Sequence, residues 1–284
     1  MDPRVEELDL RTFFRAVADF VMPRVCVVCG TRLLLCEDHI CACCLAELPE
    51  THFSRVSHNP MADAFNARIA AAGPLRRLGH SRLNAFRGPA AADGNGFERY
   101  CHATALFYYN VADGYDNITQ VLKYRRDFSE GKWFARLLGR RMAESNLYAD
   151  VDMVVPVPLH WTRHLKRGYN QAGIIAREVA DALGAQCSTR LLKRRRRTKS
   201  QAYMGARKNM RKGEQRMSAD EMKAGNVAGA FTVRKNWRGT PQHILLVDDV
   251  FTTGSTMQAC HSALRERFGT EVRISVATLA YVNR

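Results

Sequence analysis

Two groups of residues carry types and spacings that could do chemistry. The first is cysteine. Six of the nine cysteines fall between Cys26 and Cys44. Cys26 and Cys29 are separated by two residues, eleven residues follow, and Cys41 and Cys44 repeat the two-residue gap. Two such knuckles each present a pair of thiolates on a tight turn, and together they complete a tetrahedron around Zn²⁺. Four thiolates leave no open position for water, so the expected role is structural. Cys36, His39 and Cys43 are surplus donors; Cys43 could replace Cys44, although only Cys41 and Cys44 reproduce the spacing.

The second group is ILLVDDVFTTGST, from Ile244 to Thr256. A short apolar run ends at Asp248 and Asp249, followed by Thr252, Thr253, Gly254, Ser255 and Thr256, after which a helix is expected. A loop of this kind turns backbone N–H groups towards one point, adds hydroxyl donors and lends the positive end of a helix, so it attracts an anion. Two carboxylates beside it can accept hydrogen bonds from vicinal hydroxyls. A sugar phosphate satisfies both halves. The chain has no G-x4-G-K-[ST] motif, which argues against a P-loop nucleotide hydrolase.

The surrounding pattern supplies elements to position that loop. Strand signals at 104–109, 151–157, 243–247 and 272–280 alternate with helical stripes. These are carried by Ile118, Val121 and Leu122, by Trp133, Phe134, Leu137, Leu138 and Met142, and by Ile174, Ile175, Val179 and Leu183; a further helix is expected at 255–268. Asn170 is placed to cap one helix and Gly184 to end it. Alternation of this kind predicts an α/β fold with a doubly wound, mainly parallel sheet. Residues 10–21 place Phe13, Phe14, Val17, Phe20 and Val21 on one helical face ahead of Pro23. The expected organisation is an N-terminal helix and zinc ribbon at 1–50, a linker or surface insertion at 51–100, and the α/β domain at 101–284.

The whole 284-residue chain carries 43 Lys and Arg against 28 Asp and Glu, a formal +15, which favours polyanionic partners. No run of about 18 apolar residues is present, so membrane insertion is not expected. The acidic start MDPRVEELDL lacks the basic region of a secretory signal, and a cytoplasmic location is expected.

VDDVFTTGST resembles the ribose-phosphate-binding signature of type I phosphoribosyltransferases. The wider pattern is similar to the ComF family, which joins a short zinc ribbon to such a domain; the supporting segments are C26VVCG, C41ACCLAELP, L122KYRRD, V155PVPLHWTRHLKRGYNQ, T198KSQ and N226VAGAF. The resemblance implies 5-phosphoribosyl 1-pyrophosphate or a nucleotide as ligand, and a possible pentosyl transfer to an unknown acceptor. It also implies ribose contacts through Asp248 and Asp249, with the 5-phosphate in the loop from Thr252 to Thr256. Pyrophosphate with Mg²⁺ would lie near the turn after the strand at 151–157, where Arg163, Lys166 and Arg167 follow and Lys123 is a further candidate. The basic run Lys193, Arg194, Arg195, Arg196, Arg197 and Lys199 reads either as a lid over pyrophosphate or as a contact for nucleic-acid backbones. Because ComF-like proteins are associated with DNA uptake, the alternative function is a non-enzymatic accessory factor that binds single-stranded DNA or senses nucleotides, with DNA-uptake proteins as partners.

Overall fold

The computed structural model describes residues 17, 19, 20, 22–72, 99–124, 128–159, 168–194 and 229–283. Arg163, Lys166, Arg167, the run at 195–199 and most of the expected N-terminal helix lie outside them, as does the side chain of Lys123.

A five-stranded parallel sheet organises the fold. Its strands are β1 (Ala103–Tyr108), β2 (Met153–Pro156), β3 (Gln186–Cys187), β6 (His243–Phe251) and β7 (Arg273–Tyr281), in the order β1-β7-β6-β2-β3. β4 (Leu192–Arg194) and β5 (Phe231–Val233) form a separate antiparallel pair. The central strand is apolar on both sides because both are covered. Ile244 and Leu246 enter one core with Phe65, Met257 and Cys260, whereas Leu245 and Val247 enter the other with Phe134, Ile175 and Val179. All four β6 residues are fully buried, each contributing about 1.5–3 kcal/mol by removal from water.

The helices follow the expected stripes: α3 (Asp116–Tyr124), α4 (Ser129–Ala143), α5 (Gln171–Leu183) and α6 (Ser255–Phe268). The short helix α1 (Ala42–Ala46) belongs to the cysteine-rich module. Among the described residues, no helix is long and apolar enough to cross a membrane.

The segment expected as a linker or insertion carries an additional element. Residues 60–72 form α2 (Pro60–Ala72), with Met61, Ala62 and Phe65 fully buried in the first core. Asn59 accepts from the Ala62 N–H and donates to the Ala103 carbonyl, both at 2.9 Å, so one side chain both starts the helix and ties it to β1. Asn66 exchanges two 2.9 Å bonds with the backbone of Cys101. Small alanines and a buried asparagine on the packed face give α2 little hydrophobic contrast, which explains why its pattern reads as a linker. Residues 73–98 lie outside the described set.

The cysteine module is joined firmly to the sheet. The Thr51 N–H donates to Leu106 at 3.1 Å and the Tyr108 N–H to Pro49 at 2.9 Å, so residues 49–51 cover the outer edge of β1. Glu50 receives both arms of Arg141 at 2.9 and 3.0 Å, and this pair holds the carboxyl below its usual range.

Candidate functional site

The cysteine centre is built from turns. The Gly30 N–H returns to the Cys26 carbonyl at 2.9 Å, and the Cys26 N–H to Thr31 at 2.8 Å, folding the first knuckle. On the second, Cys41 begins α1 and its sulfur accepts from the Cys44 N–H at 3.5 Å, while Cys26 Sγ accepts from the Cys41 N–H at 3.4 Å. The connecting loop is held by Glu37, which accepts from the N–H groups of Leu34 and Ala42 at 2.8 and 2.7 Å. The sulfurs of Cys26, Cys29, Cys41 and Cys44 all lie within 4.8 Å of one another, and Cys29 and Cys41 are 3.8 Å apart. A zinc tetrahedron with bonds of about 2.3 Å has sulfur–sulfur edges of about 3.8 Å, so the set fits Zn²⁺. Cys44 rather than Cys43 completes it: Cys44 is buried inwards, and Cys43 is exposed. The Thr31 hydroxyl, 3.2 Å from Cys29, draws that thiol down to about 6, whereas burial pushes Cys44 up.

This centre packs directly on the α/β domain. Tyr115 donates its buried hydroxyl to the Cys44 carbonyl at 3.0 Å. Gly114 has φ +74°, and a Cβ there would lie 2.8 Å from the Val28 carbonyl oxygen, so the knuckle and the turn before α3 touch backbone to backbone.

The acidic pair occupies a second, separate region. β6 pairs with β2 only as far as Val247, opposite Pro156, and continues through Asp248 to Phe251 beside β7 alone. The acids therefore lie within the last residues of the strand, not beyond it. β2 is followed by α5 and β6 by α6, and these helices belong to the two opposite cores. The gap between the carboxyl ends of β2 and β6 is thus the switch point at which ligands of open α/β sheets bind.

Three pieces border this crevice. Asp248 and Asp249 are half-buried; each uses one carboxylate oxygen to accept from the next residue's N–H, at 3.0 and 2.8 Å. Next comes the loop, where Gly254 adopts φ +71° and starts α6. Thr253 Oγ1 and Ser255 Oγ lie 2.8 Å apart, and the Gln258 N–H donates to the Gly254 carbonyl at 2.8 Å. The third is the start of α5. Asn170 donates to the Val157 carbonyl at 3.1 Å instead of capping the helix through its side chain. Tyr169 donates to the Leu122 carbonyl at 2.7 Å, which brings the backbone beside Lys123 to this turn.

The sequence groups Gln171 with Tyr169 and Asn170 as residues that order the turn rather than touch a ligand, and gives no sign that it is buried. Gln171 is 2% exposed, and among the described residues its Nε2 has no hydrogen-bond partner. His243 was also not anticipated as a polar core residue. It is fully buried at the opposite end of β6, with Nδ1 2.8 Å from Asp150 and Nε2 2.9 Å from Ser275.

Competence protein F of Haemophilus influenzae is 26% identical to this chain over 161 residues, covering 55% of the chain and 64% of the relative. DNA utilization protein YhgH of Salmonella typhi is 33% identical over 143 residues, covering 49% and 56%. The YhgH of Escherichia coli O157:H7 is 31% identical over 154 residues, covering 52% and 60%. The chain thus spans about three fifths of the length of these relatives. No family model matches it.

Proposed function

A ComF-family assignment, supported by these relatives and by the four-cysteine cluster, is the premise from which we propose that the crevice binds a ribose 5-phosphate group carried by 5-phosphoribosyl 1-pyrophosphate or a nucleotide. One observation carries the reading: β6 outruns β2 and delivers Asp248 and Asp249 beside a Gly254 turn that opens α6 at the sheet's switch point. The loop N–H groups and the hydroxyls of Thr252, Thr253, Ser255 and Thr256 take the phosphate. Asp248 and Asp249 accept from the ribose hydroxyls. Arg163, Lys166, Arg167 and Lys123 are proposed for the pyrophosphate. Mg²⁺ accompanying the pyrophosphate supplies charge neutralisation when bound.

In this reading the chain can transfer the pentosyl group. Asp248 or Asp249 opposes the positive charge that grows on the ribose ring as pyrophosphate departs, and positioning does the remaining work. The relatives' names, competence and DNA utilization, favour a second reading, in which the same pocket serves an accessory role in DNA handling without turnover.

Calorimetry with 5-phosphoribosyl 1-pyrophosphate and Mg²⁺ tests the binding step. Asp249→Asn and Thr253→Ala should each weaken binding by about 1–3 kcal/mol, the range for a lost charged or buried hydrogen bond. Unchanged affinity in both variants would reject the pocket. Pyrophosphate release with a panel of bases and amines then separates transfer from binding alone.

A further inference from the structure

The cysteine centre and the acidic crevice are separate regions, yet one helix is fastened to both. α3 begins against the ribbon and ends against the crevice. At its start, the turn at Gly114 closes on the Val28 carbonyl, and Tyr115 donates its hydroxyl to the Cys44 carbonyl at 3.0 Å. That carbonyl needs a donor from outside its own helix. In a longer helix the Leu48 N–H would reach it; α1 stops too early, and the Leu48 N–H goes to the Leu45 carbonyl at 3.3 Å instead. Tyr115 is 5% exposed, so its bond is shielded from water.

α3 carries position from one end to the other because it is held along its length. Ile118 and Leu122 share a core with Cys26 and Cys44. Leu122 presses on the backbone of α4: a Cβ on Gly131 would lie 2.0 Å from Leu122 Cδ2, so α3 slides or rotates only by breaking this fit. At the far end the Leu122 carbonyl accepts from the Tyr169 hydroxyl at 2.7 Å. The Tyr169 ring stands edge-on to Phe128, directly ahead of α4, with 4.4 Å between centroids. Asn170 follows and donates to the Val157 carbonyl at the end of β2, at 3.1 Å. The segment that contains Arg163, Lys166 and Arg167 therefore starts and finishes at this anchor, and Lys123 is the residue after Leu122. Tyr115 and Leu122 are seven residues apart, about 10 Å by helix rise. Two tyrosine hydroxyls, each on a backbone carbonyl, thus join the ribbon to the crevice through one rigid element.

We infer that Tyr115 is a positioning residue: through α3 the ribbon sets the pyrophosphate side of the crevice, and metal occupancy at the four cysteines is coupled to ligand affinity. This rests on the ligand reading proposed above. Cys44 is the link, because one residue gives both a sulfur to the cluster and a carbonyl to Tyr115. The phosphate loop is outside the relay. It opens α6, whose Met257 and Cys260 belong to the core on the other face of the sheet from Ile118 and Leu122. The ribbon therefore acts on the pyrophosphate half of the crevice and not on the ribose-phosphate half.

Calorimetry with two probes separates these halves. Tyr115→Phe keeps the ring and removes only the hydroxyl. It should retain about one Zn²⁺ per chain and bind 5-phosphoribosyl 1-pyrophosphate with Mg²⁺ about five- to tenfold more weakly, with its affinity for ribose 5-phosphate unchanged. A merely structural role would weaken both probes alike. Tyr169→Phe cuts the relay at its other end without touching the ribbon and should show the same selective loss. Combining the two should add little, as expected of residues acting in series. Coupling of two sites is reciprocal. In the parent, saturating 5-phosphoribosyl 1-pyrophosphate should therefore raise the Zn²⁺ affinity measured against a chelator at buffered free metal, and in Tyr115→Phe it should not. Parent affinity for 5-phosphoribosyl 1-pyrophosphate in Tyr115→Phe, or an equal loss for both probes, would overturn the inference and leave the crevice reading standing. A parent protein that binds neither probe would reject the crevice reading itself, and the coupling with it.

Discussion

The ring of Phe251 stands where a side chain on Gly254 would have to go: a Cβ on Gly254 would lie 2.6 Å from the Phe251 Cζ. Phe251 ends β6 fully buried, and Gly254 begins the turn into α6 at φ +71°. The aromatic ring thus supports the underside of the loop, and the absent Cβ keeps the loop close to the sheet. Gly254→Ala should destabilise the fold through both effects. A left-handed alanine costs about 1 kcal/mol, and overpacking a core adds about 1–3 kcal/mol. Urea unfolding of the variant should show a lower midpoint with an unchanged slope. A midpoint equal to that of the parent would mean that the loop and ring move apart at no cost.

The cysteine centre makes a discriminating prediction. Cys44→Ser should remove the bound metal and Cys43→Ser should not, since only the former sulfur lies within 4.8 Å of the other three. The check is metal content by mass spectrometry on tag-free protein, with about one Zn²⁺ per chain expected for the parent and for Cys43→Ser. The ribbon core buries Cys26, Leu33, Ile40 and Leu48 against Leu106 and Tyr115. Loss of metal should therefore also expose the outer face of β1 to hydrogen exchange.

His243 predicts a pH dependence. It donates from Nδ1 to Asp150 and accepts at Nε2 from Ser275, an arrangement that suits the neutral ring. Asp150 also binds Arg273. Asp152 accepts from the backbone N–H groups of Gln242 and His243, and His102 lies close enough to oppose a positive charge. Burial holds the folded-state value of His243 below the ordinary one of 6.5. The unfolded chain therefore binds this proton first as the pH drops. The stability that the neutral ring contributes is complete above about pH 6.5 and declines below it, until the folded ring is also protonated. Asp150 is held below its usual 3.8, so its own contribution is lost only at still lower pH. Chemical unfolding between pH 5 and 7 should show this slope. His243→Gln should be destabilised at pH 7 by about 1–3 kcal/mol and should flatten the slope. An unaltered slope would assign the titration to another group.

Much of the fold was legible because its signals are local. The four-residue apolar run from Ile244 to Val247, the stop at Gly184 and the extent of α6 depend on hydrogen bonding and periodicity within a few residues. The structure follows them closely, whereas Asn170 stands at the start of α5 but gives its side chain to the Val157 carbonyl and not to a cap. The spacing of Cys26, Cys29, Cys41 and Cys44 was readable for the same reason: a knuckle is a turn. Tertiary structure alone decided what required a distant partner. It chose Cys44 over Cys43 because only one of two adjacent thiols can point inwards from α1. It made α2 part of the core because Asn59 and Asn66 spend their polar groups on β1 and the chain leading into it, contacts that no residue pattern displays. It kept Asp248 and Asp249 inside β6 because β7 runs on beside them after β2 has stopped. Chain-local forces select helix, strand and turn; which side chains meet is determined by the surfaces that those elements bury against one another.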